Sequence, residues 1–408
     1  MFEWNKPFQV VMKIKHNYIS KYGFDTLNFE TWLKKLNNLE YSNIFDCLQV
    51  NQKNEFLLIR YGIADMQESM WANPNSIYRE CRSVVIDLDK EQLVLTPFKK
   101  FFNLNEIPEN NIDKIIKEIE LASIVEFTDK LDGSMQSVRY YNNDFFMAGS
   151  MALDINDSWR LADGYNMLLE NYKQMIKENP SYTFIFEYIS LKDAHVVIYD
   201  KEREGLYLIG IRNVYTGNEL TYNEIKSYAD KYNINMTRIE NINIETVLQD
   251  MKKYKSNEKE GWVLNIDRHK IKIKCDDYVH LHRLLDKISS INVIIQNIAE
   301  NRYDDLISKV PESYRDRVQK IAKKIFDYKN NTEQLINYYF KLAPKYNRKI
   351  FMLWVEEKVP IELKGYVRNM FLNKDINVLK NNANSYKKLK ELGINEDYSA
   401  LFSDMEDI

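Results

Sequence analysis

The apolar residues of this 408-residue chain change their spacing near residue 275. Before that point, short runs of alternating or β-branched residues recur between turn-type segments, a pattern typical of β-strands. After it the apolar residues fall at helical spacing: Leu281, Leu284, Leu285, Ile288, Ile291, Ile295 and Ile298. Because strand patterns come first and helical patterns follow in a separate block, the sequence predicts an α+β chain. We expect an antiparallel-sheet domain over residues 1–275 and an all-α domain over residues 276–408.

The individual elements follow from local signals. Predicted strands cover residues 56–61, 83–87, 92–96, 137–141, 144–148, 182–189, 206–214, 262–266 and 270–274. Predicted helices cover residues 28–40 and 222–233, and a further helix starts at Asp276 or Asp277, either of which can cap it. Helix breaks are expected near Pro311, Pro344 and Pro360.

Composition narrows the class of protein. The formal net charge is -3, so nucleic acid could be bound only by local basic patches and not by a global positive field. The cysteines, Cys47, Cys81 and Cys275, lie far apart without metal-site spacing, which favours a reducing compartment. No apolar run reaches the length of a membrane-spanning helix. We therefore expect a cytoplasmic protein without membrane contact.

One short motif carries candidate chemistry. An apolar-rich run over residues 123–128 leads into Lys130-Leu131-Asp132-Gly133-Ser134. A lysine followed after one residue by Asp-Gly is the pattern of a lysine amine that attacks a nucleoside triphosphate. By itself the motif is weak, because a strand ending in an Asp-Gly turn has the same residues.

Two downstream lysines supply what such an amine needs. Lys272 and Lys274 share one face of a predicted strand, since side chains repeat every two residues. Placed beside Lys130, they would bind phosphates and offset the charge that develops on the transferring phosphorus. Burial and these cations would also lower the pKa of Lys130, which must be neutral to act as a nucleophile.

Other charged residues fit the same reaction. Arg82 can grip a phosphate with its planar guanidinium group, and Glu187 can accept hydrogen bonds from ribose hydroxyls. Glu260 and Asp132 can hold metal-bound water or orient lysines, and Gly133 lets the backbone approach a nucleotide closely.

Each of these residues also has a simpler interpretation. Glu187 can face solvent on a half-exposed strand, Arg82 can be a surface residue, and Glu260 with Gly261 can form only a turn. The three alternating lysines of residues 270–274 can be the polar face of an edge strand, where lysine blocks aggregation. Only their joint occurrence in this order favours catalysis.

The ordered set resembles the covalent nucleotidyltransferases, and more narrowly the type 1 RNA ligases of T-even phages. The similar segments lie within residues 55–305: Arg82-Ser83-Val84-Val85-Ile86-Asp87, Lys100-Phe101-Phe102-Asn103, Lys130-Leu131-Asp132-Gly133-Ser134, Phe186-Glu187, Glu260-Gly261-Trp262-Val263, Lys272-Ile273-Lys274 and Asp276-Asp277-Tyr278-Val279-His280-Leu281-His282.

The resemblance implies specific roles. Lys130 would carry the adenylate, and Lys272 and Lys274 would contact the ATP and AMP phosphates. The nucleotide pocket would be lined by Arg82, Lys100 and Phe102, together with Asp132 and Gly133 of the motif. Glu187 would bind the ribose. Glu260 would assist with metal or lysine positioning, and Asp304 lies where the family has a metal-associated aspartate, although it can equally be a surface helix cap.

The match is incomplete. Leu131 stands where the T-even enzymes have an acidic residue, Trp262 replaces a smaller aromatic residue, and Ser150 matches the family's middle motif only loosely. Residues 310–408 have no firm match. Within residues 341–390, basic residues outnumber acidic ones: Lys345, Arg348, Lys349, Lys364, Arg368, Lys374, Lys387 and Lys388. They are interleaved with Tyr346, Phe351, Trp354, Tyr366 and Phe371, which can stack bases or form a helical core.

The resemblance implies an ATP- and Mg²⁺-dependent RNA ligase that joins 5′-phosphate and 3′-hydroxyl ends of single-stranded or broken RNA, tRNA included, as a monomer. A DNA ligase or capping enzyme is the nearest alternative. Those families add a β-barrel after the paired lysines, whereas this sequence turns helical at Asp276. A non-catalytic RNA-binding protein that keeps a degenerate transferase fold is the third possibility.

Overall fold

The computed structural model describes residues 2–62, 68–193, 195–289, 291–310, 312–374 and 376–380. The chain divides into two compact units, Met1–Val279 and His280–Ile408. The first contains all the described strands, and the described elements of the second are helices. The predicted α+β class, with antiparallel sheets followed by helices, is confirmed.

The first unit contains both helices and strands. Its helices are α1 (Lys6–Tyr22), α2 (Phe29–Leu36), α3 (Leu39–Phe45), α4 (Glu68–Trp71), α5 (Ile77–Glu80), α6 (Ile112–Leu121), α7 (Trp159–Asn166), α8 (Glu170–Glu178), α9 (Tyr222–Tyr232) and α10 (Ile244–Asp250). Its strands are β1 (Leu48–Lys53), β2 (Phe56–Tyr61), β3 (Arg82–Asp87), β4 (Gln92–Leu95), β5 (Phe102–Asn103), β6 (Val125–Lys130), β7 (Ser134–Tyr141), β8 (Asp144–Ala148), β9 (Tyr182–Ile189), β10 (Gly205–Asn213), β11 (Ile239–Glu240), β12 (Gly261–Ile266) and β13 (His269–Lys274).

The described strands form three sheets, with strand orders β1-β2-β3-β4, β10-β9-β7-β8 and β11-β6-β12-β13-β5. Every pair of strands is antiparallel except β13 with β5, which is parallel. The third sheet matters most for the site, because it places β6, β12 and β13 side by side. β13 therefore has a neighbour on each side, and the edge-strand interpretation of its lysines is wrong.

Local sequence signals account for the hairpins and helix ends. Asn142 and Asn143 both have positive φ angles, 51° and 64°, as the two-residue turn between β7 and β8 requires. The predicted helix over residues 28–40 stops at Leu36, because Asn37 turns left-handed and Asn38 caps α3. Thr221 opens α9 with a reciprocal capping box.

Two apolar clusters pack helices of the first unit against its sheets, and a third, which includes Leu58 and Tyr141, packs the first sheet against the second. One packs α1 and α2 against the β1-β2-β3-β4 sheet and includes Trp32, which is fully buried. The other packs α8 and α9 against β9 and β10, around residues such as Phe184 and Phe186. Their burial supplies the hydrophobic stabilisation that keeps the sheets, and so the strand ends, in fixed positions.

The second unit is described by itself. Its helices are α11 (Asp276–Ser289, which begins in the first unit), α12 (Ile291–Ala299), α13 (Tyr303–Lys309), α14 (Glu312–Leu342), α15 (Arg348–Lys358) and α16 (Ile361–Phe371). The predicted breaks at Pro344 and Pro360 are confirmed, and Pro311 lies outside the described residues. None of the described helices is long and apolar enough to cross a membrane.

Candidate nucleotidyl-transfer site

Strand register brings Lys130 and Lys274 together. Gly261, the first residue of β12, pairs with Lys130 at the end of β6 and with Lys274 at the end of β13. Directly opposed residues on neighbouring strands point to the same face of a sheet. Lys130 and Lys274 are 144 positions apart in the chain, but they therefore lie on the same face of the third sheet, at the same end of its strands.

Glu260 binds both lysines. Its Oε1 atom lies 2.6 Å from Nζ of Lys130 and 3.2 Å from Nζ of Lys274, and only 3% of its side chain is exposed. Gly261 follows with a φ of 151°, and a Cβ atom there would lie 2.0 Å from the carbonyl oxygen of Ile273. Only glycine therefore allows the chain to turn into β12 while the Glu260 carboxylate stays between the two ammonium groups.

The predicted lowering of the Lys130 pKa is wrong. Burial works to lower the pKa of the Lys130 amine, but the negative charges of Glu260, Glu187 and Asp132 and the hydrogen bond to Glu260 together raise it above its ordinary value. Burial likewise opposes ionisation of Glu260, yet Lys130 and Lys274 hold its pKa below the usual range. The contact with Glu260 therefore favours the ammonium form of Lys130.

The lowered pKa belongs instead to Lys272. Burial and the positive charges of Arg82, Lys100, Lys130 and Lys274 bring the pKa of Lys272 well below its ordinary value. Burial also lowers the pKa of Lys274, despite the Glu260 carboxylate. The cluster thus holds more positive charge than its carboxylates neutralise, which favours an anionic ligand.

Arg82 lies at the start of β3 with an incompletely satisfied guanidinium group. Its Nε and Nη1 atoms are buried and have no hydrogen-bond partner among the described residues. The guanidinium carbon lies 5.1 Å from the ring centroid of Phe101, and Nζ of Lys272 lies 5.1 Å from the same centroid. Because unpaired buried donors are costly, this cluster is suited to a ligand that supplies oxygen acceptors.

Lys100 and Phe102 reach the cluster through the parallel strand pair. Phe102 of β5 pairs with Ile271 of β13, and Asn103 pairs with Lys272. Phe102 is buried, with 3% exposure, and Lys100 is partly exposed. The predicted upstream segment thus lies beside the paired lysines.

Asp132 and Gly133 have structural partners that the sequence does not predict. The Asp132 carboxylate accepts hydrogen bonds from the Val197 backbone N–H and the Tyr278 hydroxyl, both at 2.8 Å. A Cβ atom on Gly133 would lie 2.4 Å from the Tyr188 carbonyl oxygen, so glycine is required by β9 and not by a nucleotide alone. Both residues shape the turn that follows Lys130.

Glu187 points into the site and not to open solvent. Its side chain is half-buried, and its Oε1 atom accepts a hydrogen bond from the Gly133 backbone N–H at 3.1 Å. Burial, opposed by Lys130 and reinforced by Glu260, raises the pKa of Glu187 to about 7. A carboxyl group that titrates near neutrality lies next to the candidate nucleophile, as at many active sites.

We expect Glu187→Gln to change how stability depends on pH. Because the folded-state pKa is raised from 4.5 to about 7, the wild type loses stability as pH rises through this window, while neutral glutamine does not. The variant should gain about 1–2 kcal/mol relative to wild type between pH 5 and pH 8, after allowance for partial exposure. Urea unfolding at pH 5 and pH 8 measures the free energy of unfolding of both proteins. The same stability difference between variant and wild type at the two pH values would contradict the assigned pKa.

The predicted metal ligands are not brought into a recognisable metal site. Glu260 is bound by two ammonium groups, and Asp304 is exposed in the first turn of α13. Among the described residues no group of three or more His, Cys, Asp or Glu side chains could hold a metal ion. The metal roles of these two residues remain predictions. Ser150 does not bind the cluster directly: its hydroxyl accepts a hydrogen bond from Arg60.

The basic residues of the second unit fall into two groups. Lys364 and Arg368 form ion pairs with Glu356, and Phe351 and Phe371 stack on each other at 4.1 Å inside the unit. By contrast these residues are exposed: Lys345, Tyr346, Arg348 and Lys349. Lys387 and Lys388 lie outside the described residues.

The roles of three residues at the site were not predicted from the sequence. His195, Tyr199 and Tyr278 surround the turn at Asp132; the Tyr199 hydroxyl accepts a hydrogen bond from the Asp132 backbone N–H at 2.7 Å, and His195 Nδ1 lies 3.7 Å from the Asp132 carboxylate. The segment that carries His195 and Tyr199 has no periodic signal. Tyr278 lies in the segment over residues 276–282 that resembles the family, but the resemblance assigns it no role.

A known protein family resembles this chain over the segment that contains these residues. A family model described as RNA ligase matches residues 80–278. That range begins just before Arg82 and ends at Tyr278, so it contains Lys130, Glu260 and the paired lysines. The match confirms the resemblance to the RNA ligase family over these residues.

Individual relatives are distant. The "Putative bifunctional polynucleotide kinase/RNA ligase" of Autographa californica nuclear polyhedrosis virus is 22% identical over 281 residues, which are 63% of this chain and 38% of the viral protein. This chain therefore matches well under half of that relative's length. Among solved structures, an archaeal ATP-dependent RNA ligase is 13% identical with a TM-score of 0.45, covering 79% of this chain and 78% of the other. A Naegleria gruberi RNA ligase bound to ATP and Mn is 19% identical with a TM-score of 0.34, covering 41% and 55%.

Proposed function

We propose that this chain is an ATP-dependent RNA ligase that works through a lysyl-adenylate at Lys130. The observation that carries the proposal is the site's charge arrangement. Lys130 and Lys274 share one oxygen of buried Glu260, and Lys272 and Arg82 add cations that no described carboxylate neutralises within ion-pair distance. Such a cluster suits a triphosphate next to a lysine amine.

In the first step the Lys130 nitrogen attacks the α-phosphorus of ATP and pyrophosphate leaves. Lys272, Lys274 and Arg82 bind phosphate oxygens and stabilise the charge that builds up on them. The neighbouring cations repel one another, which is why the pKa of Lys272 is lowered. Binding of the ATP phosphates would relieve this repulsion and so favour ATP binding.

The Lys130 ammonium group must lose a proton before it attacks. Glu260 lies 2.6 Å from its nitrogen and fixes the direction of the amine. Because this contact holds the pKa of Glu260 low and that of Lys130 high, Glu260 is proposed to orient the nucleophile, and the proton is proposed to leave with the pyrophosphate. Glu187, beside Gly133, is proposed to bind the ribose hydroxyls.

A divalent cation, proposed to be Mg²⁺, would neutralise part of the phosphate charge when it is bound. Since Mg²⁺ keeps several water ligands and binds through substrate phosphates, it does not need a dedicated protein cage. This agrees with the lack of a three-ligand cluster among the described residues. Glu260 remains a proposed contact to its hydration shell, and the metal role of Asp304 remains a separate proposal.

In the later steps the AMP passes to the 5′-phosphate of an RNA, and a 3′-hydroxyl displaces it. We assign RNA selection to residues 276–408, whose exposed cations and Tyr346 suit a phosphate backbone and an unpaired base. The proposed substrates are broken single-stranded RNAs, tRNA included, acted on by a monomer in the cytoplasm. The free thiols of Cys47, Cys81 and Cys275 fit a reducing compartment.

We expect Lys345→Ala/Arg348→Ala to weaken RNA binding about tenfold and to reduce its salt dependence, because two phosphate contacts are lost. The matched control is Lys320→Ala/Lys323→Ala, which removes the same charge from exposed positions on α14. Fluorescence anisotropy with a 5′-phosphorylated single-stranded RNA at two salt concentrations measures both pairs. If the two double variants lose RNA affinity equally, there is no specific RNA-binding surface around Tyr346. Both double variants should still form the AMP adduct at the wild-type rate.

The rival classes predict other products. A nick-sealing DNA ligase of the same superfamily would join a nicked duplex, and a non-catalytic RNA-binding protein would form no adduct. Against the first, the described elements that follow β13 are helices and not the strands of a β-barrel. Incubation with ATP and Mg²⁺ of single-stranded RNA, the matching DNA and a nicked duplex decides among them: joined RNA supports the proposal, and sealing of the duplex alone overturns it.

A further inference from the structure

Three aromatic rings surround the ammonium group of Lys100. Its Nζ atom lies 4.6 Å from the ring centroid of Tyr61, 5.4 Å from that of Trp71 and 5.4 Å from that of Phe102. Trp71 packs edge-on against both other rings, with centroids 5.3 Å from Tyr61 and 5.6 Å from Phe102. The negative faces of such rings attract a cation. We call Tyr61, Trp71 and Phe102 the aromatic box.

The ammonium group inside the aromatic box has no carboxylate partner among the described side chains. Among the side chains that the structure describes, no carboxylate lies within the 4.0 Å ion-pair distance of Lys100. A carboxylate partner would fix the ammonium group but remove its net charge, whereas aromatic rings fix it and leave the charge intact. The aromatic rings therefore fix the Lys100 ammonium group at a defined place without an ion-pair partner among the described side chains.

Contacts with Arg79 fix the position of the aromatic box. Arg79 Nε donates to the Trp71 carbonyl oxygen at 2.9 Å, its Nη1 lies 2.9 Å from a Glu109 carboxylate oxygen, and its guanidinium carbon lies 5.1 Å from the Phe102 ring centroid. The Lys100 backbone N–H donates to the Arg79 carbonyl oxygen at 2.6 Å. Trp71, half-buried on the short helix α4, is thus connected to the strand that runs beside Lys272.

We infer that Trp71 is a positioning residue for nucleotide binding: with Tyr61 and Phe102 it holds the Lys100 ammonium group, un-neutralised, where the phosphates of ATP are to bind. The inference rests on the proposed function and goes beyond it, because it assigns a role to an aromatic side chain that touches no reacting atom. A simple packing role for Trp71 would need only its apolar bulk. The proposed role needs its π face and needs Lys100.

The test is a double-mutant cycle on the full chain, read as the ATP concentration that gives the half-maximal rate of AMP–protein formation. The variants are Trp71→Leu, Trp71→Phe, Lys100→Met and Trp71→Leu/Lys100→Met. We expect Trp71→Leu to raise the half-saturating ATP concentration about tenfold with little change in the maximal rate, and Trp71→Phe to stay within about twofold of wild type. In the Lys100→Met background, Trp71→Leu should add less than about twofold.

Three results would overturn the inference: a wild-type ATP requirement in Trp71→Leu, an equal defect in Trp71→Phe, or an undiminished effect of Trp71→Leu when Lys100 is already methionine. If Trp71→Leu does not fold, Trp71→Met keeps unbranched apolar bulk without a π face and takes its place in the same cycle. Failure of the proposed function is a separate outcome, since the wild-type protein would then form no AMP adduct at all.

Discussion

Lys130→Ala will form no AMP adduct when incubated with α-phosphate-labelled ATP and Mg²⁺. Substitution removes the attacking nitrogen itself, so labelling should fall by at least about 10³-fold. The fold should survive, because Glu260 keeps its second partner, Lys274, at 3.2 Å. Gel autoradiography with equal amounts of wild type and variant measures the loss directly.

A matched control separates loss of the nucleophile from loss of charge. Lys226→Ala removes an exposed lysine of α9 that pairs only with Asp230 among its described ion pairs, and it should label like wild type. Circular dichroism should show the same secondary structure in all three proteins. Undiminished labelling of Lys130→Ala would mean that another residue carries the AMP.

Lys272→Met will slow adduct formation by about 10²–10³-fold while making the protein more stable without nucleotide. The rate falls because the variant loses a cation that offsets charge on the transferring phosphate. Stability should rise at neutral pH, because burial and the charges of Arg82, Lys100, Lys130 and Lys274 lower the pKa of Lys272 and so favour the unfolded chain.

The pH dependence follows from the same shift. Between the lowered folded-state pKa and the ordinary value of 10.5, the unfolded chain binds the extra proton, so wild-type stability rises with pH. The advantage of Lys272→Met should therefore shrink toward pH 10. Lys270→Met is the control on the same strand: Lys270 pairs with half-buried Glu219, so its removal should destabilise the protein. Urea unfolding that shows Lys272→Met to be less stable than wild type would contradict the assigned charge excess.

The parts of the fold that sequence reasoning predicts well are those encoded locally. The turn at Asn142 and Asn143, the start of α11 at Asp276 and the alternation of Lys272 and Lys274 each depend on neighbours within a few residues. The strands that carry the charged motifs are also recognisable locally, although only some of the residues lie at strand ends: Lys130 and Lys274 do, whereas Glu187 and Lys272 lie inside their strands. The order of the motifs, through the family resemblance, indicates which of these side chains belong together.

What could not be predicted depends on long-range contacts. The pKa of Lys130 rises because of a carboxylate 130 positions away, whose 2.6 Å contact is set by the register of β6 with β12. Asp132 is bound by groups from Val197 and Tyr278, and neither segment signals that contact. In each case the sequence gives the residue type, while tertiary packing chooses its partner.

Transfer of AMP from the protein to RNA tests the central claim most directly. Protein loaded with labelled AMP is freed of ATP and mixed, in a single turnover, with a 5′-phosphorylated single-stranded RNA that ends in a 3′-hydroxyl. We predict that the label leaves Lys130, appears on RNA and then as free AMP, and that the RNA is circularised or lengthened. Label that stays on the protein with RNA, but leaves it when a nicked DNA duplex is supplied, would contradict the account.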